Sequence, residues 1–357
     1  LYILNKIHTT HHEALSLGLI FLIVVGATYF SRVNRIYDKD AVAAPEPVEL
    51  IINQEKDLNS ILEIEDIKLL INDKEEFIWV AKMLGWRTFR PGRYVFEGIY
   101  SYEVFLSKIS RGIQDPITFT ILPGTTLERL SIQTGHLFNF TATDFSAVFE
   151  DSLFLEEYGG FTKEQLFGRM LPETYKVYWS VTPKNLVKRV LNEFDKKVVE
   201  KYEAEIETLG LSVNELITLA SIIEWEAKEE LEKPRISGLY WNRLRKGIPL
   251  QADPTVNYAI GERRRLLFED YKIEHPFNTY LFKGLPPGPI TNPALSSIEA
   301  AIKPEQHNYL YMVANSDGGH TFTRTFEEHQ RESEKWRKWI REQYRIKREK
   351  ETQENSF

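Results

Sequence analysis

The chain has 357 residues, 42% of them hydrophobic and 27% charged, which suits about two domains with their own cores and excludes a disordered polymer. A formal net charge of −7 provides no basic domain, so no nucleic-acid partner is expected. Cysteine is absent, which removes disulfides and thiolate chemistry and leaves the redox compartment open.

The first marked feature runs from Ala14 to Phe30, ALSLGLIFLIVVGATYF, without a charge. As a helix it is roughly 25 Å long at about 1.5 Å per residue, close to the hydrocarbon thickness of a bilayer. A cleaved signal peptide would carry a shorter apolar core and a small-residue cleavage site. Here the run ends in Tyr29-Phe30-Ser31-Arg32, an interfacial aromatic pair followed by a base. A transmembrane helix over 14–31 is therefore expected, after an N-terminal segment over 1–13. Lys6 precedes the span while Arg32, Arg35 and Lys39 follow it, so the flanking charges alone slightly favour the opposite orientation.

Residues 32–47, ending in DKDAVAAPEP, read as a linker of small, charged and proline residues. A small αβ module is expected over 48–115. It has strands at Val48–Ile52 and Gly92–Phe96 and helical spacing at Asn59–Leu70, Glu75–Leu84 and Ser101–Ile109. A larger domain follows over 116–330. It opens with the alternating strand Ile117–Ile121, then becomes mostly helical at Leu127–Thr134, Thr143–Phe149, Lys184–Glu203 and Asn214–Lys228. Beyond Pro249 it is rich in proline-marked loops, which often carry binding sites and also serve as rigid connectors. A basic helical tail over 331–357 sets Trp336, Trp339, Ile340 and Ile346 on one face. Packing of that short stripe on the parent domain is favoured over a membrane-surface role.

No HExxH, GxSxG or phosphate-binding glycine loop occurs, and the histidines do not cluster at ligand spacing, so no metal and no cofactor are expected. The informative stretch is NELITLASIIEWEAK, from Asn214 to Lys228. On a helix, Leu216, Leu219, Ala220, Ile223 and Ala227 form the apolar stripe. Glu224 falls within that arc and lies over the small residues Ala220 and Ser221. Glu226 falls near the other edge and lies over Ile222 and Ile223. That placement favours Glu224 as the carboxylate with room for a ligand. A glutamate held against apolar surface keeps its proton near neutral pH and can protonate a leaving oxygen. A surface glutamate whose stem lines an apolar edge would read the same way.

Leu219-Ala220-Ser221-Ile222-Ile223-Glu224-Trp225-Glu226-Ala227 resembles the signature helix of the endolytic murein transglycosylases, the YceG-like family. The likeness continues in Gln251-Ala252-Asp253-Pro254-Thr255-Val256-Asn257-Tyr258 and Asn278-Thr279-Tyr280. It goes on through Lys283–Ile290 with Asn292-Pro293, then Gly318–Phe322 and Glu327-Glu328-His329. Trp225 stands where the family commonly has a basic residue, Pro123 where it has a glutamate, and Glu173 where it has an aspartate.

The resemblance implies an α+β protein with an N-terminal transmembrane helix, a small LysM-like module and a larger YceG-like catalytic domain. It implies an anchor in the cytoplasmic (inner) membrane, with the N-terminal segment over 1–13 cytoplasmic and the catalytic domain on the outer side. It also implies peptidoglycan glycan strands as substrate and wall-synthesis enzymes as partners. The implied reaction is lytic cleavage of the β-1,4 bond after N-acetylmuramic acid, with Glu224 as catalytic acid and then base, leaving a 1,6-anhydro end. Gln251, Asp253, Thr255, Asn257, Tyr258, Asn278, Tyr280 and Asn292 are implied to bind substrate. Two rivals stay open: a muramidase using Asp253 and water, and a glycan-binding scaffold without activity. For Asp253-Pro254 a turn is favoured over a nucleophile.

Overall fold

The computed structural model describes residues 2–354, with side chains for 15–349 and 351. Leu1 and residues 355–357, the outer ends of the expected N-terminal segment and basic tail, lie outside the described residues. The chain divides into two units, residues 1–117 with 176–181, and residues 118–175 with 182–357.

The first unit begins with α1 (Tyr2–Tyr37), a single helix of 36 residues. From Leu15 to Phe30 its apolar side chains lie exposed, and among the described residues it is the one unbroken helix long and apolar enough to cross a membrane. The expected linker is corrected. Residues 32–37 continue α1, and Val42–Ile52 forms β1. Its prolines, Pro45 and Pro47, fall where the pairing register shifts between Ala44 and Val48. Proline is tolerated at such an irregularity because no ladder hydrogen bond is lost there.

The helical spacing over Asn59–Leu70 resolves into a short turn, Leu58–Ile61, and α2 (Glu65–Leu70). Next come α3 (Lys74–Met83), β2 (Gly92–Tyr100), which pairs antiparallel with β1, and α4 (Tyr102–Arg111). Asp73 caps α3 by accepting from the backbone of Glu75 and Glu76, and Ser101 caps α4. Leu50, Phe77, Tyr94, Phe96 and Phe105 fill the core between sheet and helices. Arg35, near the end of α1, pairs with Glu76 at 2.6 Å and lies over Trp79, which ties that helix to α3.

The second unit is mostly helical. It contains α5 (Leu127–Leu137) and α6 (Pro183–Phe194), whose continuation widens to a π-turn at Asp195–Glu200. Its centre is α7 (Val213–Glu226), opened by a reciprocal cap between Ser212 and Glu215. All eight residues from Leu216 to Ile223 are buried, because α8 (Lys233–Arg245), α9 (Asp253–Ile260) and α10 (Leu295–Ile302) surround the helix. Truncating Ile222 to alanine there would cost about 2–5 kcal/mol.

The hairpin β3 (Tyr311–Ala314) and β4 (His320–Thr323) completes the unit with α11 (Phe326–Glu354). The tail helix therefore starts earlier than the aromatic stripe suggests. Its first turns pack on the hairpin, where His329 stacks on Tyr311 at 5.4 Å.

Candidate active site

The two carboxylates at the end of α7 enter different surroundings. Glu224 Oε2 accepts from the Ala294 backbone N–H at 3.0 Å, the Ser297 hydroxyl at 2.6 Å and Lys233 Nζ at 3.4 Å. Ala294 and Ser297 open α10, so Glu224 caps that helix from outside and takes up N–H and hydroxyl donors at its positive end. Lys233 is 3% exposed and also bonds Glu230 and Ser296, so the junction is filled with partners.

Glu226, two residues on, lines a cleft of ≈ 480 Å³ with Tyr240, Gln251, Asp253, Tyr271 and Tyr280. Burial pushes its carboxyl up to about 8, and the neighbouring Asp253 charge adds to the rise. The helix-face expectation is thus corrected. Glu224 faces a hydrogen-bonded helix junction, and Glu226 faces the open cleft. The physical reason is that α7 is covered on all sides, so its apolar periodicity carries no information about which edge borders solvent.

Asp253 stands in the first turn of α9, followed by Pro254. Its carboxylate accepts from the Tyr280 hydroxyl at 2.7 Å and faces the Tyr271 hydroxyl at 3.4 Å. The two tyrosine rings meet edge to face at 4.6 Å. Burial raises both phenols, Tyr271 to about 12, and Asp253 reinforces this, so both stay protonated donors. Gln251 has a φ of 50°, a left-handed backbone conformation that a non-glycine residue adopts at a cost. Its Oε1 accepts from Arg243 Nη1 at 2.9 Å, and Arg243 Nε and Nη1 also donate to the carbonyls of Pro249, Leu250 and Leu310. These bonds hold the loop that carries Asp253.

The other residues of the expected set separate. Thr255 is fully buried, with its hydroxyl on Ala252 O and Thr279. Asn278 is buried and staples its own loop through the carbonyls of Tyr271 and Ile273. Asn292 donates to Leu122 O and Met170 O and accepts from the Thr125 N–H. These three brace their loops from within, and none of them lines the Glu226 cleft or the one bordered by Trp225. Asn257 and Tyr258 border a second cleft of ≈ 460 Å³ with Trp225 and Arg263. Trp225 lies against Gly124, whose φ of 66° and lack of a side chain allow the indole N–H to reach its carbonyl.

Tyr240, Arg243 and Tyr271 border the Glu226 cleft and carried no signal in the motifs read from sequence. His320 and His329 stood in those motifs without a role. Both line the cleft, and His320 Nδ1 meets Glu232 Oε2 at 2.8 Å. Gly319 admits that contact, since a Cβ there would lie 2.5 Å from Glu232 Oε1.

A cleft with one proton-holding glutamate and a tyrosine-bonded aspartate, set in a mostly helical unit, has the groups that acid–base chemistry needs. The chain belongs to the YceG-like family, whose model matches residues 50–335. It is 31% identical over 293 residues to the endolytic murein transglycosylase of Bacillus subtilis, covering 78% of this chain and 80% of that protein. The Streptococcus pneumoniae protein of the same name is 29% identical over 287 residues, covering 71% of this chain and 52% of that longer protein. A crystal structure of a YceG-like protein from Listeria monocytogenes matches with a TM-score of 0.57 and 29% identity, over 81% of this chain and 99% of that one.

Proposed function

We propose that this chain is a membrane-anchored endolytic peptidoglycan transglycosylase in which Glu226, rather than Glu224, moves the protons. The observation that carries the reading is a carboxyl pushed up to about 8 inside a carboxylate- and tyrosine-lined cleft. A protonated Glu226 donates to the oxygen of the β-1,4 bond after N-acetylmuramic acid as the C1–O bond breaks. The resulting carboxylate accepts the proton of the C6 hydroxyl while O6 bonds to C1. The products are a 1,6-anhydro end and a new free hydroxyl, no water is consumed, and Glu226 regains its proton.

Gln251, Asp253 and Tyr280 then contact sugar in this cleft, and Asn257 and Tyr258 contact it in the neighbouring one. Thr255, Asn278 and Asn292 act by bracing, and Glu224 holds α10 in register. Residues 48–115 act as a LysM-like module, α1 spans the cytoplasmic membrane with the second unit outside, and partners are wall-synthesis enzymes that supply nascent strands. The names carried by the relatives support the glycan substrate, and the apolar, exposed run of α1 supports the anchor.

The proximity of Asp253 to Glu226 also favours a hydrolytic reading, with Asp253 activating water. Mass analysis of digested glycan strands without borohydride reduction decides. Anhydro ends support the lytic scheme, and reducing ends heavier by one water overturn it. For the anchor, a reporter fused after residue 330 that is active only in the cytoplasm overturns the proposed orientation.

A further inference from the structure

Two polar atoms in the Glu226 cleft, Tyr240 Oη and His329 Nδ1, are buried without a hydrogen-bond partner among the described residues. Tyr240 projects from α8 and is only 1% exposed, so its phenol has given up water without a return. His329 comes from α11, far away in sequence. One connected wall holds both. Arg243 lies over the Tyr311 ring at 5.1 Å, His329 stacks on the same ring at 5.4 Å, and the Arg243 charge acts on Tyr240 and His329 alike. Since the Arg243 Nε and Nη1 donors are taken by backbone carbonyls and Gln251, the wall is rigid.

The charges in the cleft restrict what the two atoms take. Arg243 and Asp253 bring opposite charges to bear on the Tyr240 phenol, and Glu226 is protonated, so neither an anion nor a cation is favoured there. Burial, then the Arg243 charge, holds the His329 imidazole below its ordinary pKa, so the ring is neutral and keeps an acceptor nitrogen. The cleft therefore suits a neutral group offering an acceptor for the phenol and a donor for the imidazole. A hydroxyl would have to reach both from one oxygen. An amide presents the two on separate atoms.

We infer that Tyr240 and His329 together read the acetamido group of an amino sugar, the phenol donating to the acyl oxygen and His329 Nδ1 accepting the amide N–H. This rests on the glycan-cutting reading and adds a specificity to it. A site built around such hydrogen bonds rejects the analogue that lacks them, because its buried groups are then left unpaired.

The test compares kcat/KM on N-acetylated and chemically N-deacetylated glycan strands for the full chain, Tyr240→Phe and His329→Phe. The wild type is expected to favour acetylated strands by at least about tenfold. Each variant should lose about tenfold on acetylated strands and little on deacetylated ones. Tyr240→Phe should melt no lower than wild type, since it deletes an unpaired hydroxyl, and His329→Phe keeps a ring on Tyr311. Equal losses on both strands, or none, overturn the inference by giving the residues a structural role. A wild type that cuts both strands alike overturns it while the glycan-cutting reading stands. A wild type inert on both removes that reading and the inference together.

Discussion

The Ser297 hydroxyl donates to Glu224 Oε2 at 2.6 Å, which joins the end of α7 to the first turn of α10. This contact separates the two glutamates by their surroundings, and the proposed roles follow from that. Glu226→Gln should fold normally and lose roughly 10²–10⁴-fold in kcat, because an amide cannot protonate the leaving oxygen. Glu224→Gln should keep substantial activity while losing about 1–3 kcal/mol of stability, since the buried Lys233 loses a carboxylate partner. Side-by-side turnover and melting curves check both. An inert but fully stable Glu224→Gln would overturn the assignment.

The carboxyl of Glu226 ties activity and stability to pH with a definite sign. The acid works protonated, so kcat/KM should fall as pH rises through about 8. An unfolded glutamate ionises near 4.5, so between there and about 8 the native chain holds a proton that the unfolded chain has lost. Stability from this group therefore declines across that window as pH rises. Glu226→Gln has no such slope, and its melting temperature should exceed that of wild type by more at pH 8 than at pH 5. Thermal melts over that range provide the measurement.

Asn292 supplies a prediction with the opposite profile. Asn292→Ala leaves the carbonyls of Leu122 and Met170 and the Thr125 N–H without their partner. The expected loss is about 2–3 kcal/mol of stability, with KM on glycan unchanged below the new transition. An affinity loss in a variant that melts like wild type would instead make Asn292 a ligand contact.

Asp253 accepts the Tyr280 hydroxyl, and in the lytic scheme it positions sugar and transfers no proton. Asp253→Asn should therefore retain anhydro products at a lower rate, with KM affected more than kcat. Mass spectra of the variant's products are the readout. Loss as severe as that of Glu226→Gln, with reducing-end products in the wild type, would favour the hydrolytic scheme.

Much of this arrangement was legible in the residues. The caps at Asp73, Ser101 and Ser212 are local signals, and the helices they open appear where the spacing predicts. The motif from Gln251 to Tyr258 does enter the site, through Gln251 and Asp253. The choice between Glu224 and Glu226 was not legible. It depends on which neighbour covers each edge of α7, and those neighbours, Ala294 and Asp253, lie 70 and 27 residues further along the chain. The linker failed for a related reason, since the paired strand β2 stabilises Val42–Pro47 and no local propensity does. Tyr240 was silent because a tyrosine on a buried helix face reads as ordinary core.

The bonds of Asn292 span 122 to 170 residues of chain, and the Glu226 cleft takes Phe326 and His329 from α11. Contacts of such separation form late, after shorter-range structure has condensed. During synthesis, a chain that has emerged as far as Glu226 has no closed cleft around it, and the wall that completes it is made last. A chain cut short before α11 therefore lacks Phe326 and His329, and its Glu226 stands in a cleft open on that side, short of the wall that the acid–base reading requires.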